Sequence, residues 1–253
     1  MLHFSQAGKG PPLIILHGLF GSGRNWASIA RALGEAFVTY SLDQRNHGES
    51  PALPTHSLND LTQDLAQWID EHSLTRTSIL GHSMGGLVAM DFALQFPQRM
   101  DSLIVVDVAP RAYAHRHQKE IEAMRADISG CKTRADVDAV MAQFLPDAVI
   151  RQFLQMNLIH TEAGFRWKIP VETLAKATFL EGFTHNVGRK YDRPALFIVG
   201  GLSDYVKPED HAAIYSFFPK AKVVTLADAG HWPHYSHQQV FLEHILSFLK
   251  AEP

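Results

Sequence analysis

The sequence has little cysteine: Cys131 is the only one among 253 residues, so a disulfide within the chain is excluded. Such a chain is typical of a reducing compartment. Long apolar runs are also lacking, and no run approaches the roughly 20 residues that a membrane span needs. Residues 1–8 lack the basic start and apolar stretch of a secretory signal. We therefore expect a soluble, cytoplasmic protein.

A strong charge of either sign is lacking as well. Lys and Arg number 23 against 26 Asp and Glu, and the formal net charge is −3. Because no basic cluster appears, we expect no nucleic-acid partner and no attraction to anionic membranes. The 46% hydrophobic and 19% charged composition is ordinary for a globular domain. The oligomeric state stays open.

Short apolar runs alternate with longer helical patterns. The predicted strands are 13–16, 37–42, 77–80, 103–106, 195–199 and 223–226, and the predicted helices are 25–33, 58–71, 84–96, 209–217 and 238–250. Several of these strands lack polar alternation, as strands buried on both faces do. The pattern predicts an α/β fold with a doubly wound, mostly parallel sheet.

This alternation stops after Pro110 and resumes at Pro194. Residues 111–193 show helical patterns without a convincing strand, and the segment is too long for a loop. We predict a core formed by 1–110 and 194–253, with 111–193 as an inserted helical cap. Large apolar residues of the cap should build its own core, and some should line a pocket that, if closed, favours short to medium acyl groups: Phe144, Leu145, Phe153, Leu154, Met156, Leu158, Phe165 and Trp167.

A serine flanked by glycines follows one predicted strand. The stretch Gly81-His-Ser-Met-Gly85 lies between a strand and a helix, which is the context that the G-x-S-x-G motif requires. The turn is so sharp that side chains two positions from Ser83 would collide with the neighbouring strand or helix. We predict Ser83 as a nucleophile at the carboxyl edge of the sheet.

A tetrahedral intermediate formed on Ser83 needs two N–H donors for its oxygen. One should be the amide of Met84, which follows the nucleophile. The other should come from the loop His17-Gly-Leu-Phe-Gly21, most plausibly from Leu19.

A serine hydroxyl needs a base to take its proton. Because the chain has 15 histidines, only a histidine's position relative to the predicted strands can indicate which one is the base. His231 follows the last predicted strand and would reach the same sheet edge as Ser83. His234 and His237 recur at three-residue spacing, but further metal ligands are missing, and we expect no metal.

Two aspartates could orient His231, because each follows a predicted strand. Asp107 comes after the strand that succeeds the serine helix, and Asp204 comes after the first strand beyond the cap. Either carboxylate could stabilise the imidazolium, and each could instead be a loop aspartate that caps a turn.

Together these motifs resemble the α/β-hydrolase superfamily and, within it, the YbfF-like esterases. The residues that carry the resemblance are His17-Gly-Leu-Phe-Gly-Ser22, Asp43-Gln-Arg-Asn-His-Gly-Glu-Ser50, Gly81-His-Ser-Met-Gly-Gly86, Asp107-Val-Ala-Pro110 and Ala229-Gly-His-Trp232. The resemblance covers nearly the whole chain, and Asn46 stands where most relatives have Gly. It implies a cofactor-free serine esterase or thioesterase with a small cap. Superfamily habit favours Asp204 as the acid, whereas the YbfF-like branch favours Asp107, to which we give slight preference.

We therefore predict a serine hydrolase that cleaves esters or thioesters of small acyl substrates, without a cofactor. Ser in place of Asp at the turn argues against haloalkane dehalogenase and epoxide hydrolase chemistry. Two other functions are possible on the same scaffold: a carbon–carbon hydrolase or lyase with the same residues, and a non-catalytic ligand-binding protein. A screen for ester hydrolysis separates them.

Overall fold

The computed structural model describes residues 1–162 and 164–251. Three residues of the predicted segments, Ala163 in the cap and Glu252 and Pro253 in the core, lie outside the described residues. The main sheet has seven strands in the order β1-β3-β2-β4-β5-β8-β9. Their bounds are β1 (Phe4–Ala7), β2 (Pro12–Leu16), β3 (Val38–Leu42), β4 (Thr77–His82), β5 (Met100–Val106), β8 (Ala195–Gly200) and β9 (Ala221–Leu226).

Strand β1 pairs antiparallel with β3, and every other pairing in this sheet is parallel. All residues of β4 and β8 are buried, as expected for strands covered on both faces. The predicted doubly wound, mostly parallel sheet is confirmed. Its carboxyl edge gathers the ends of β2, β4, β5 and β8 in one place.

Helices cover both faces of the sheet. The helices are α1 (Ala27–Leu33), α2 (Leu58–Glu71), α3 (Met84–Gln95), α4 (Gln118–Arg125), α5 (Arg134–Met141), α6 (Ala148–Gln155), α7 (Val171–Ala175), α8 (Asp210–Phe217), α9 (Pro233–Ser236) and α10 (Gln238–Ala251). Alternate residues of β2 divide between two core clusters: Ile14 and Leu16 pack towards α2 and α3, whereas Leu13 and Ile15 pack towards α1 and α10. Among the described residues, no helix is long and apolar enough to cross a membrane.

The segment predicted as the cap, 111–193, contains α4 to α7 and also a hairpin of β6 (Leu158–Thr161) and β7 (Gly164–Trp167). The expectation of a segment without strands was therefore wrong. Each strand has four residues with mixed polarity, too few to form a recognisable apolar run. An apolar cluster joins cap residues from Ile121 to Leu174 with Phe20 of the loop after β2. Later apolar residues, including Phe179 and Phe183, join the core cluster instead.

Candidate active site

The turn after β4 holds Ser83 in a strained conformation, with φ of 51° and ψ of −117°. The residues two positions before and two positions after Ser83 must be glycine for steric reasons. A Cβ atom on Gly81 would lie 2.1 Å from the Gly85 carbonyl oxygen, and one on Gly85 would lie 2.4 Å from the Leu16 carbonyl oxygen. The Ser83 amide donates a 3.0 Å hydrogen bond to the Val106 carbonyl, which ties the turn to β5.

Asp107 follows β5 and also has a positive φ, of 51°. Its side chain is fully buried, and Oδ2 lies 2.7 Å from Nδ1 of His231. The same carboxylate accepts hydrogen bonds from the amide of Gly200 at 2.9 Å and from Oγ of Ser203 at 2.5 Å. Several donors thus converge on one buried carboxylate and fix its orientation.

Asp204, the rival acid, lies elsewhere. Its side chain is 67% exposed and forms an ion pair with Arg116 of the cap. It borders the same cavity as Ser83, but its carboxylate is directed to the cap rather than to His231. Of the two aspartates, the structure brings Asp107 against the imidazole.

His231 is held from several sides. Its Nδ1 faces Asp107, its ring stacks on Tyr205 at a centroid distance of 3.8 Å and an angle of 14°, and its carbonyl accepts a 2.8 Å hydrogen bond from Nε2 of His82. A carboxylate can only accept, so Nδ1 carries the proton and Nε2 is left as the basic nitrogen.

Ser83 and His231 line one cavity of about 600 Å³, here called the Ser83 cavity. The loop after β2 forms one wall, and the cap forms another through Ile150, Phe153 and Leu154. Of the apolar cap residues expected at a pocket, Phe153 and Leu154 therefore reach it. Phe165 and Trp167 pack in the cap, whereas Phe144 and Met156 are exposed.

Two buried histidines hold the loop after β2. His17 donates through Nδ1 to the Gly18 carbonyl at 2.8 Å, and His47 accepts through Nε2 from the Phe20 amide at 3.0 Å. Phe20 itself has a φ of 62°. Burial lowers the pKa of His17 and that of His47, so both stay neutral and His47 keeps its acceptor nitrogen. Leu19 lies between Gly18 and Phe20, and the hydrogen bonds to these two residues fix its backbone position.

The two amides predicted to hold an oxyanion are those of Leu19 and Met84. Within residues 1–162 and 164–251, neither amide donates a hydrogen bond. Met84 is the first residue of α3, where helical N–H groups lack an internal partner and the helix dipole favours negative charge. Both residues are therefore able to donate to a ligand oxygen.

The segment from Asp43 to Ser50 braces this region through buried polar contacts. Asp43 accepts from the amide of Gly23 at 2.7 Å, and Arg45 forms paired hydrogen bonds of 2.6 and 2.8 Å with Asp64. Asn46 has a φ of 66°, in the left-handed region that Gly and Asn tolerate best. Asn46 therefore occupies a backbone conformation that would also suit Gly.

The histidines that follow His231 do not form a metal site. His234 stacks on Trp26 at 4.2 Å, and burial lowers its pKa to about 3, while His237 contacts Oγ of Ser236 at 2.8 Å. In the described part of the chain, no group of three or more His, Cys, Asp or Glu side chains could hold a metal ion.

Sequence reasoning missed two residues that support the site. Ser203 donates to Asp107, and Tyr205 stacks on His231. Both flank Asp204 in the loop after β8, where the strand-end position drew attention to the aspartate alone. Neither Ser203 nor Tyr205 belongs to a recognised motif. Their place at the end of a strand was the signal in the sequence that could have identified them.

Comparison with known proteins agrees with this geometry. The family model for the alpha/beta hydrolase fold matches residues 11–238. The sn-1-specific diacylglycerol lipase ABHD11 of Mus musculus is 36% identical over 250 residues, 94% of this chain and 81% of that protein. Esterase YbfF of Escherichia coli (strain K12) is 33% identical over 244 residues, 94% of this chain and 92% of that protein.

Among solved structures, a marine microorganism esterase superposes with a TM-score of 0.92 at 39% identity, covering 98% of each chain. The similarity thus extends over the core and the cap together. The chain belongs to the α/β-hydrolase fold family and, within it, to the YbfF-like esterases.

Proposed function

We propose that the protein is a serine hydrolase that cleaves esters of small acyl substrates through an acyl-enzyme on Ser83. The observation that carries the proposal is the 2.7 Å contact between Asp107 and His231 at the rim of the Ser83 cavity. A buried carboxylate on Nδ1 leaves Nε2 of His231 free to act as a base towards a hydroxyl.

In the proposed reaction, Oγ of Ser83 attacks the acyl carbonyl while His231 takes its proton. The oxygen becomes negative and is held by the amides of Leu19 and Met84. His231 then returns the proton to the leaving alcohol or thiol, which departs and leaves the acyl-enzyme. Water, activated by His231, attacks the acyl-enzyme and releases the acid. No cofactor takes part in this scheme.

The relatives and the cavity support the proposed substrate class. Relatives named as an esterase and a diacylglycerol lipase support ester bonds as the target. The cavity is walled by apolar cap side chains such as Ile150 and Phe153, which suit the hydrocarbon part of an acyl ester. We propose carboxylic esters as the main substrates and acyl thioesters as a second class with the same chemistry.

The test uses Ser83→Ala beside Ser216→Ala, whose serine is exposed on α8. Both variants and the wild type are assayed on a panel of acyl esters and acyl-CoA thioesters and are labelled with a fluorophosphonate. We expect Ser83→Ala to lose labelling and turnover on the order of a million-fold, since the covalent route is gone. The control should match the wild type.

Persistent labelling or ester turnover in Ser83→Ala would refute the nucleophile. Absence of turnover by the wild type on the whole panel, with intact labelling, would favour a carbon–carbon hydrolase or lyase that uses the same residues. Absence of both would favour a binding protein. Relative kcat/KM on matched esters and thioesters decides between the two substrate classes.

A further inference from the structure

A second concave surface lies beside the Ser83 cavity, between α6 of the cap and the segment that follows His231. This surface, here called the outer groove, has a volume of about 410 Å³, within the range of small-molecule sites. Its lining residues are Asn25, Ser28, Val149, Gln152, Phe153, Met156, Trp232, His234, Tyr235 and Gln238.

The outer groove is uncharged, and half of its ten lining residues are apolar or aromatic. Among its described lining residues there is no Asp, Glu, Lys or Arg, and His234 is neutral because burial lowers its pKa to about 3. Val149 is 57% exposed, Met156 54% and Tyr235 79%. Several large apolar side chains exposed in one concave place indicate a binding surface, whereas single exposed apolar residues do not.

The outer groove shares a wall with the Ser83 cavity. Asn25, Phe153, Trp232 and His234 line both. The rings of Phe153 and Trp232 lie 6.0 Å apart, one on the cap and the other next to His231. Rotation of either ring about its side-chain torsions would join the two spaces. A chain attached to an ester at Ser83 thus has a short route into the outer groove.

We propose that the outer groove binds an alkyl chain of the ester substrate, with Phe153 and Trp232 as the gate that the chain passes. The absence of charge excludes ionic ligands as the favoured occupants, and the shared wall connects the occupant to the reacting ester. The substrates are then neutral esters with a long or a second alkyl chain. The value of kcat/KM should then not drop abruptly beyond a certain chain length, as it would in a closed pocket. This proposal rests on the proposed function.

The test measures kcat/KM for two series of soluble esters, below their critical micelle concentrations. One series lengthens the acyl part from two to twelve carbons, and the other lengthens the alcohol part of an acetate. Val149→Asp and Gln152→Lys place opposite charges in the outer groove, and neither residue lines the Ser83 cavity. Val187→Asp is the matched control, since Val187 is 81% exposed and lies outside the groove.

In at least one series, we expect wild-type kcat/KM to rise with each carbon that enters the groove, by up to about fourfold per buried CH₂. Both groove variants should lose tenfold or more on the longest esters, because either charge must be desolvated by the chain. Both should keep wild-type rates on two-carbon esters. Val187→Asp should match the wild type at every length.

Equal chain-length profiles for groove variants and control would overturn the proposal. Losses that appear only with micellar or vesicle substrates would overturn it too, since the face would then dock on a lipid surface. The two-carbon esters separate this result from the proposed function. If the wild type hydrolyses neither the two-carbon esters nor the longer ones, the proposed ester hydrolysis itself is wrong.

Discussion

At the scale of single residues, the surroundings of Asp107 and Asp204 lead to opposite expectations for the same substitution. Asp107→Asn should keep the fold, because the amide fills the same space. It should reduce kcat/KM for a short ester by about ten-thousand-fold, by analogy with the serine proteases, because an amide beside Nδ1 holds His231 in the wrong tautomer. Steady-state kinetics with circular dichroism as a fold check measure both effects.

Asp204→Asn is the control for that experiment. It weakens an exposed ion pair with Arg116, and such pairs contribute little to stability. We expect activity within a few-fold of the wild type. A silent Asp107→Asn beside a crippled Asp204→Asn would reverse the assignment of the acid.

The sequence was enough to select Ser83 and His231 as candidate catalytic residues, but it was not enough to choose between the two aspartates. Ser83 has a motif with a fixed steric requirement, and His231 has a position after the last strand. The two aspartates share the same kind of position, and their order along the chain does not separate them. What separates them is side-chain direction: Asp107 has a φ of 51°, and its carboxylate meets Nδ1 of His231. Backbone conformation of that kind is not encoded in a local pattern.

At the scale of elements, the serine turn depends on the fit between α3 and β2. Gly85→Ala should destabilise the protein by about 2 kcal/mol, within the usual range for overpacking a core. A Cβ there would lie 2.4 Å from the Leu16 carbonyl oxygen, and backbone cannot move aside cheaply. Urea unfolding measures the loss, and ester turnover should fall because the loop after β2 shifts.

Gly130→Ala serves as the control, since a Cβ at Gly130 meets nothing within 4 Å among the described residues. Its unfolding midpoint should equal or slightly exceed that of the wild type. Equal midpoints for Gly85→Ala and Gly130→Ala would show that the turn tolerates a side chain, against the steric argument.

Elements were predictable where a strong local signal coincided with burial. Helix α2 matches its predicted bounds, because Ser57 and Asp60 form reciprocal capping hydrogen bonds of 3.1 and 3.0 Å. Strand β1 at the sheet edge and the cap hairpin were missed. Each strand is four residues long and only partly buried, so tertiary pairing rather than apolar pattern decides its conformation.

At the scale of the whole molecule, contacts across the site join cap and core. Asn157 of the cap donates to the Phe20 carbonyl at 2.8 Å, and Lys168 forms an ion pair with Glu49. The loop after β2 is thus held by His17, by His47 of the segment after β3, and by the cap. The division into 1–110, 111–193 and 194–253 stays a prediction. A local pattern could not show that residues such as Phe179 pack on the core cluster.

The whole molecule should also lose stability in acid, through its buried neutral histidines. The pKa of His56 is lowered to about 3, first by burial and to a smaller extent by the nearby charge of Arg45. In the unfolded chain the imidazole of His56 is protonated below about pH 6.5, whereas in the folded chain it stays neutral down to about pH 3. The buried His56 therefore costs no stability above about pH 6.5, and the free energy of unfolding falls as the pH decreases from 6.5 towards 3.

For His56 alone, the loss between pH 7.5 and pH 5.5 should be about 1.4 kcal/mol, the free energy of one pKa unit. Urea unfolding at the two pH values measures it for the wild type, for His56→Gln and for His115→Gln, whose histidine is exposed. His56→Gln should show a smaller loss on acidification by about that amount, even if its stability at pH 7.5 is reduced. His115→Gln should lose as much as the wild type. An unchanged loss in His56→Gln would mean that the buried imidazole does not oppose protonation, and the acid sensitivity would then have another source.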